Sequence, residues 1–581
     1  MSEPDHPPHV LRDYALIADG ERGGLCGPRG DLVWLCAPRW HDDAVLSTLI
    51  GGSGLYAVTP VGRYVWGGAY EPGSLVWRSR WITQDTIVEC REALARPADP
   101  HRLVLLRRVL GGDRDARLRV LLDVRAGFGK HPMSQLRRGE DGVWTARSGA
   151  LWLRWQGGQD ARHVDGHLEL DLTVASGEVH DLVLEISDEP LPGLTPAARC
   201  WAATEEAWRK AVPVLDAVAG SRDARQSLAV LHGLTSSSGA MVAAATMSLP
   251  ERAGQPHRSF DYRYAWIRDQ CYAGIAAAQV GATALLDSAV TFVCGRLLAD
   301  GTELKPAYLV DGGPVPDEIG LDLPGYPGGA DVRGNWVNQQ FQLDSLGEVL
   351  LLLSAAEGAG RGSATTRRAR ARAVEVIEQT WQLPDAGIWE LDDDWWTHSR
   401  LTAVAGLRAA ARDVEDAAAE ARISALAETV LAETTRRCLH PDGYWQQSPG
   451  RERVDAALLL PAVRGALPAD DPRTLATLAA VQRDLVEDGY VYRFRPDERP
   501  LGSSEGAFLL CGFVMSLALH QQGEEVGAFR YFERTRAACG SPGLLSEEVD
   551  VAQRQLRGNL PQAFVHAMLL ETASVLGADR T

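Results

Sequence analysis

Two acidic stretches of this chain have the residue types that proton-transfer chemistry needs. In DAGIWELDDDWWTHS, Glu390 stands beside Trp389 and close to Trp395, Trp396 and His398. A carboxyl group set against aromatic rings loses hydration, which raises its pKa and lets it remain a proton donor near neutral pH. In GSPGLLSEEVDVAQRQLRGNLPQAF, adjacent Glu547 and Glu548 lie between an apolar turn and a helix start. If one of them faces Glu390 across a pocket, the two form the acid and base pair that cleaves a glycosidic bond with water. Each also has a plainer explanation, Glu390 as a surface turn residue and the pair as first-turn glutamates favoured by the positive end of a helix.

A third stretch, SFDYRYAWIRDQC, gathers four aromatics with Asp261, Arg263, Arg268 and Asp269. Sugar sites use this mixture, because ring faces cover C–H surface while Asp and Arg hydrogen-bond hydroxyls. The structural alternative is Asp269 as a helix N-cap beside a buried ion pair. The acidic run Asp392–Asp394 reads as a solvated loop rather than a metal site, and Arg367, Arg368, Arg370 and Arg372 as a solvated helix face.

The elements that must position these residues fall into two kinds. Up to residue 195 short alternating runs such as LYAVTP, RLVLLRRVL and HLELDLTV predict an antiparallel β-sandwich. The sequence DEPLPGLTP breaks the pattern, a linker helix follows over 196–220, and 221–581 shows helical periodicity throughout. Eleven apolar stripes, among them 365–382, 397–411 and 415–437, and a possible twelfth near 453–460, predict a closed ring of helical hairpins. Long loops at 248–268, 301–337, 384–396, 440–452, 487–504 and 540–559 separate them, and such loops are where active sites are built.

Composition narrows the function further. With 581 residues, 45% hydrophobic and 23% charged, the chain is expected to be folded nearly throughout. A net charge of -18 argues against nucleic acid as partner. The nine cysteines are scattered without a Cys-x-x-Cys pair, as reduced core residues would be. The start MSEPDHPPHV has neither a basic nor an apolar stretch, and no segment reaches a membrane span. A cytoplasmic enzyme without membrane attachment is therefore expected.

The order WIRD, GIWE, then SEE followed by GNLPQAF, preceded by DYALIADG…GDLVWLCAPRW, resembles glycoside hydrolase family 15, the glucoamylase, glucodextranase and bacterial trehalase group. The resemblance covers nearly the whole chain. It implies a β-sandwich, a linking helix and an (α/α)6 barrel. It also implies Glu390 as general acid, Glu547 as general base with Glu548 as its rival one position on, and Arg268 and Asp269 as the holders of a terminal glucose. More softly, YRFRPDERPLGSSEGAFLLCGF brings Arg493 and Glu505 to the pocket, with Trp266, Tyr262 and Trp389 as ring-stacking walls. Trp40, in the APRWHDD turn of the sandwich, is expected to pack in a core rather than over the barrel mouth.

The implied chemistry is inverting, exo-acting and free of any metal or cofactor, releasing β-glucose from a small α-linked gluco-oligosaccharide. Family members from bacteria carry GYRGSRPVRVGN where this chain reads GYPGGADVRGN from Gly325 to Asn335. That departure favours isomaltose and isomalto- or malto-oligosaccharides, with trehalose as runner-up. An inverting disaccharide phosphorylase needs only one of the two glutamates, and a non-catalytic sugar binder needs neither.

Overall fold

A computed structural model describes residues 6–252 and 258–578. The first five residues, 253–257 within the 248–268 loop, and the last three lie outside the described residues.

Among the described residues the N-terminal third of the chain is a sandwich of two eight-stranded antiparallel sheets. One runs in the order Ala15–Ala18, Gly23–Cys26, Asp31–Cys36, Leu55–Pro60, Ala116–Asp123, His167–Val174, Arg162–Val164, with Ala44–Leu46 paired to Asp31–Cys36. The other runs Met133–Arg138, Trp144–Ser148, Leu151–Gln156, Val179–Ser187, Arg102–Leu110, Ile87–Leu94, Trp77–Thr83, Tyr64–Tyr70. In Ala116–Asp123 burial alternates with every residue, as a strand covered on one face requires. The inward side chains, among them Tyr56, Trp77, Trp81, Leu105, Trp155 and Leu184, make the core between the sheets.

Thirteen helices follow among the described residues: α1 Ala197–Ala211, α2 Ser221–Leu234, α3 Ile267–Gln279, α4 Thr283–Asp300, α5 Leu343–Gly358, α6 Ala364–Thr380, α7 Thr397–Arg412, α8 Ala417–Cys438, α9 Leu460–Val463, α10 Pro472–Asp484, α11 Leu509–Gln521, α12 Glu525–Arg536 and α13 Ala563–Ala578. Helix α1 bridges the sandwich and α2. The odd-numbered helices from α3 to α13 form an inner ring in which each touches the next and α13 closes on α3, while the even-numbered helices from α2 to α12 stand outside. Sequence follows this division. Inner α11, LLCGFVMSLALHQ, is buried from Leu509 to Leu519, whereas outer α8 buries only one stripe, Ile423, Ala427, Val430, Leu431, Thr434 and Cys438.

The sandwich braces the loop that enters α3. Trp34 Nε1 donates to the Ala245 carbonyl at 2.8 Å, and Arg263 donates to the carbonyls of Trp40 and Asp42 at 3.3 and 2.7 Å. Trp40 is fully buried, its Nε1 bonded to Gly20 O at 2.7 Å. Eight of the nine cysteines are buried and none is paired.

Candidate active site

A cavity of about 290 Å³ opens at the N-terminal ends of the inner helices. Its walls come from the segments that lead into or open α3, α5, α7, α11 and α13, so loops distant in sequence meet at one mouth. Glu390, Glu547, Arg268, Asp269, Trp266, Tyr262, Trp389 and Arg493 all line it.

Glu390 sits in a tight turn with φ 53°, a left-handed conformation uncommon outside glycine. Its N–H donates to Gly387 O at 3.2 Å and the next N–H, of Leu391, to Ala386 O at 3.0 Å. Gly387 is also left-handed, and a Cβ there would meet the Trp396 ring at 2.8 Å, so only glycine closes this turn. The turn hangs from buried Asp385, which accepts from Arg400, from Ser399 Oγ at 2.7 Å and from Gly387 N at 3.1 Å. Rings alone do not surround the carboxyl, in contrast to the sequence expectation. Trp266 Nε1 donates to Glu390 Oε1 at 2.6 Å, Arg268 reaches the same oxygen at 3.5 Å, and the side chain remains 22% exposed.

Behind Arg268 stand Gln342 at 2.7 Å and Asp344 at 3.3 Å. The buried ion pair near Asp269 is thus Arg268 with Asp344. Asp269 lies in the first turn of α3 and is not its N-cap, which is Trp266. Burial pushes the Asp269 carboxyl up to about 7, opposed by Arg268 and assisted by the charge of Glu390. Trp389 is held edge-on to Phe508, ring centres 5.0 Å apart, by its Nε1–H bond to Asp455 at 2.8 Å. The Arg493 guanidinium lies 5.4 Å from the Trp389 ring centre and 5.0 Å from that of Phe508.

The adjacent pair Glu547 and Glu548 divides. Glu548 begins the strand Glu548–Asp550, paired to Ala507–Phe508, and successive side chains of an extended chain point to opposite sides. Glu547 therefore faces the cavity, and Glu548 turns away, 0% exposed, accepting from Gly506 N at 2.8 Å. Burial, with the charges of Glu251 and Glu548, raises Glu547 well above the ordinary carboxylate range, and Arg493 opposes this.

Two assignments need correction, and a third residue near Glu390 in sequence also lies elsewhere. Glu505 does not line the cavity; it accepts from Arg493 at 2.7 Å and Arg258 at 3.4 Å, one layer behind the wall. Asp261 and Arg263 pair with each other at 2.8 Å and anchor the α3 entry loop on the sandwich, away from the cavity. His398 is buried outside the cavity, lowered to about 4 by that burial. Sequence reasoning also missed Glu251, Arg258, Glu318, Asn335 and Trp336, which line the cavity. Asn335 and Trp336 border the segment whose departure was noticed, whereas Glu251, in SLPERAG, reads as an ordinary turn.

Among the described residues no group of three or more His, Cys, Asp or Glu could hold a metal ion, and no helix is long and apolar enough to cross a membrane.

The pattern described as Glycosyl hydrolases family 15 matches residues 225–574, and Trehalase-like, N-terminal matches 5–187. The chain belongs to glycosyl hydrolases family 15. As a member it is a glycoside hydrolase, with the family's sandwich and (α/α)6 barrel. It is 30% identical to the trehalase of Mycolicibacterium smegmatis over 96% of this chain and 90% of that protein. A weaker likeness, 28% identity over 56% of this chain and 82% of the relative, is to the isomaltose glucohydrolase of Kribbella flavida. In structure it is similar to a bacterial glucoamylase complexed with acarbose, with a TM-score of 0.71 and 13% identity over 100% of this chain and 98% of that one, which shows the shared fold.

Proposed function

We propose that this enzyme hydrolyses trehalose by inversion, Glu390 protonating the glycosidic oxygen while Glu547 draws a proton from the attacking water. Two carboxyl groups that line one small cavity carry the reading, since hydrolysis with inversion needs an acid on one ring face and a base on the other. Arg268 and Asp269, at the helix start beside Glu390, hold the terminal glucose. Trp266, Tyr262 and Trp389 cover its faces, and Arg493 braces Trp389. At about 290 Å³ the cavity is at the small end of ligand pockets, roughly 300–1,000 Å³, and so suits a disaccharide rather than a chain.

The substrate is where the sequence expectation changes order. The altered Gly325–Asn335 segment, taken from sequence alone, favours isomaltose. Most of that segment docks on the sandwich: Gly325 N donates to Ile50 O at 3.0 Å and Tyr326 OH to His9 O at 2.7 Å, while Arg333 pairs with Asp43 at 3.0 Å. Of its residues only Asn335 lines the cavity. The departure therefore bears on the domain contact more than on sugar choice, and the near full-length likeness to a trehalase supports trehalose. Short α-1,6-glucosides are the second reading, favoured by the likeness to an isomaltose glucohydrolase.

The test is a panel of trehalose, isomaltose, maltose and panose followed by NMR of the first anomers released. Inversion of trehalose gives one β-glucose and one α-glucose in equal amounts, whereas two α-glucoses would overturn inversion. A kcat/KM for isomaltose above that for trehalose would reverse the substrate order. Glucose 1-phosphate as product would replace hydrolysis by phosphorolysis.

A further inference from the structure

Beside the cavity just described lies a second one, of about 400 Å³, lined by residues that include Glu487, Tyr492, Glu505, Asp550 and Arg557. Its rim residues Glu487, Asp488, Gly502, Ala552 and Gln553 are exposed, so it communicates with solvent. Among the described residues Glu251 alone lines both cavities. Its carboxyl meets that of Glu547, and the Tyr262 hydroxyl touches both, at 3.5 Å from Glu251 Oε1 and 3.4 Å from Glu547 Oε1. Arg258 holds Glu251 from the other side, with Nη2 2.6 Å and Nε 3.0 Å from Oε2.

We propose that Glu251 is a proton relay, passing the proton that Glu547 takes from water into the second cavity and thence to solvent. The need for one follows from the proton balance of the reaction proposed above, on which this inference rests. In one turnover the water oxygen bonds to the anomeric carbon and its proton goes to Glu547. The glycosidic C–O bond breaks and the leaving oxygen takes the proton of Glu390. The site ends with Glu547 protonated and Glu390 ionised, so one proton must leave and another enter before the next cycle. While sugar fills the main cavity, the contact with Glu251 gives Glu547 an exit that does not cross the product.

The charges around the pair make transfer feasible. Arg258, Arg493, Glu505, Glu548 and the Tyr262 hydroxyl face it, four carboxylates against two guanidinium groups in all. Such a cluster holds and exchanges protons as a unit rather than residue by residue. The same arrangement raises Glu547, as described, with burial first and the Glu251 charge next.

The test is Glu251→Gln, which keeps shape and a carbonyl for Arg258 but cannot take up a proton. Its kcat should fall at least tenfold with KM within threefold. Added formate, a small acceptor that fits the second cavity, should restore kcat in proportion to concentration while leaving wild type unchanged. The acid limb of kcat/KM should also move to lower pH, because a negative neighbour of Glu547 is gone. Glu251→Asp, whose acid is one methylene further away, should lose less and also gain with formate, and it serves if the glutamine variant does not fold. A kcat within twofold of wild type, or a loss that formate leaves untouched in both variants, overturns the relay. Failure of the underlying assignment reads differently: Glu547→Gln would then retain turnover.

Discussion

The two walls of the cavity solve opposite problems. The wall that carries Glu390 is backed by the barrel core: a left-handed turn hangs from the buried Asp385–Arg400 pair, and Arg268 leans on Asp344. Beneath Asp344 lies Glu348, wholly buried, with neither oxygen hydrogen-bonded by the described residues. The wall that carries Glu547 is backed by charge and by a second cavity, where Arg258 and Arg493 thread between Glu251, Glu505 and Glu548. Rigid donors fix where one carboxyl points, and burial, with like charges added to it, raises the other's hold on a proton. Two residues of one type thus stand in different surroundings.

The sharpest way to break this comparison is to neutralise each side in turn. Glu390→Gln and Glu547→Gln should each lower kcat by about 10²–10⁴-fold, the usual worth of a positioned acid or base, while an unreactive sugar still binds. Glu548→Gln, one residue along and facing away, should cost far less turnover. Equal losses at Glu547 and Glu548 in steady-state assays would erase the distinction drawn from the strand. Next in size is Asp385→Asn. It leaves Arg400 buried without its partner, a loss of roughly 3–5 kcal/mol in unfolding free energy by denaturant titration. kcat should fall with it as the Glu390 turn loosens; unchanged stability would mean that the turn is held by something other than this pair.

The contrast between the walls also explains what could be read from the chain. Helical period located the scaffold closely, with 365–382 against α6 at Ala364–Thr380 and 397–411 against α7 at Thr397–Arg412. The weak twelfth stripe near 453–460 is the sixth inner segment, a 3-10 turn over Ala456–Leu459 running into four-residue α9, too short to show a period. Strands such as Gly23–Cys26 and Tyr64–Tyr70 are harder to read from the chain because their glycines interrupt the alternation. Glu390 was legible because its rings are its sequence neighbours. Glu251 and Arg258 were not, because their meaning comes from Glu547, Glu505 and Glu548, which only the closed ring brings alongside. Glu505 failed for the same reason: a motif names a residue without saying on which side of a wall it stands.

The smallest effect is the most selective for the core-backed wall. Burial pushes Glu348 up to about 8, with Asp344 and Glu571 adding and Arg464 opposing. Against an ordinary glutamate near 4.5, the folded chain binds a proton that the unfolded chain releases between those values. Stability from this group is therefore complete below about 4.5 and is lost as pH rises through about 8. Asp269 and Asp455, raised by burial to about 7, act in the same sense. Tm should accordingly fall between pH 5 and pH 8.5, and Glu348→Gln, which cannot ionise, should fall by a few degrees less over that interval. Parallel Tm profiles in the two proteins would mean that Glu348 takes no part in the pH response and that the core behind the acid wall is not as dry as its burial indicates.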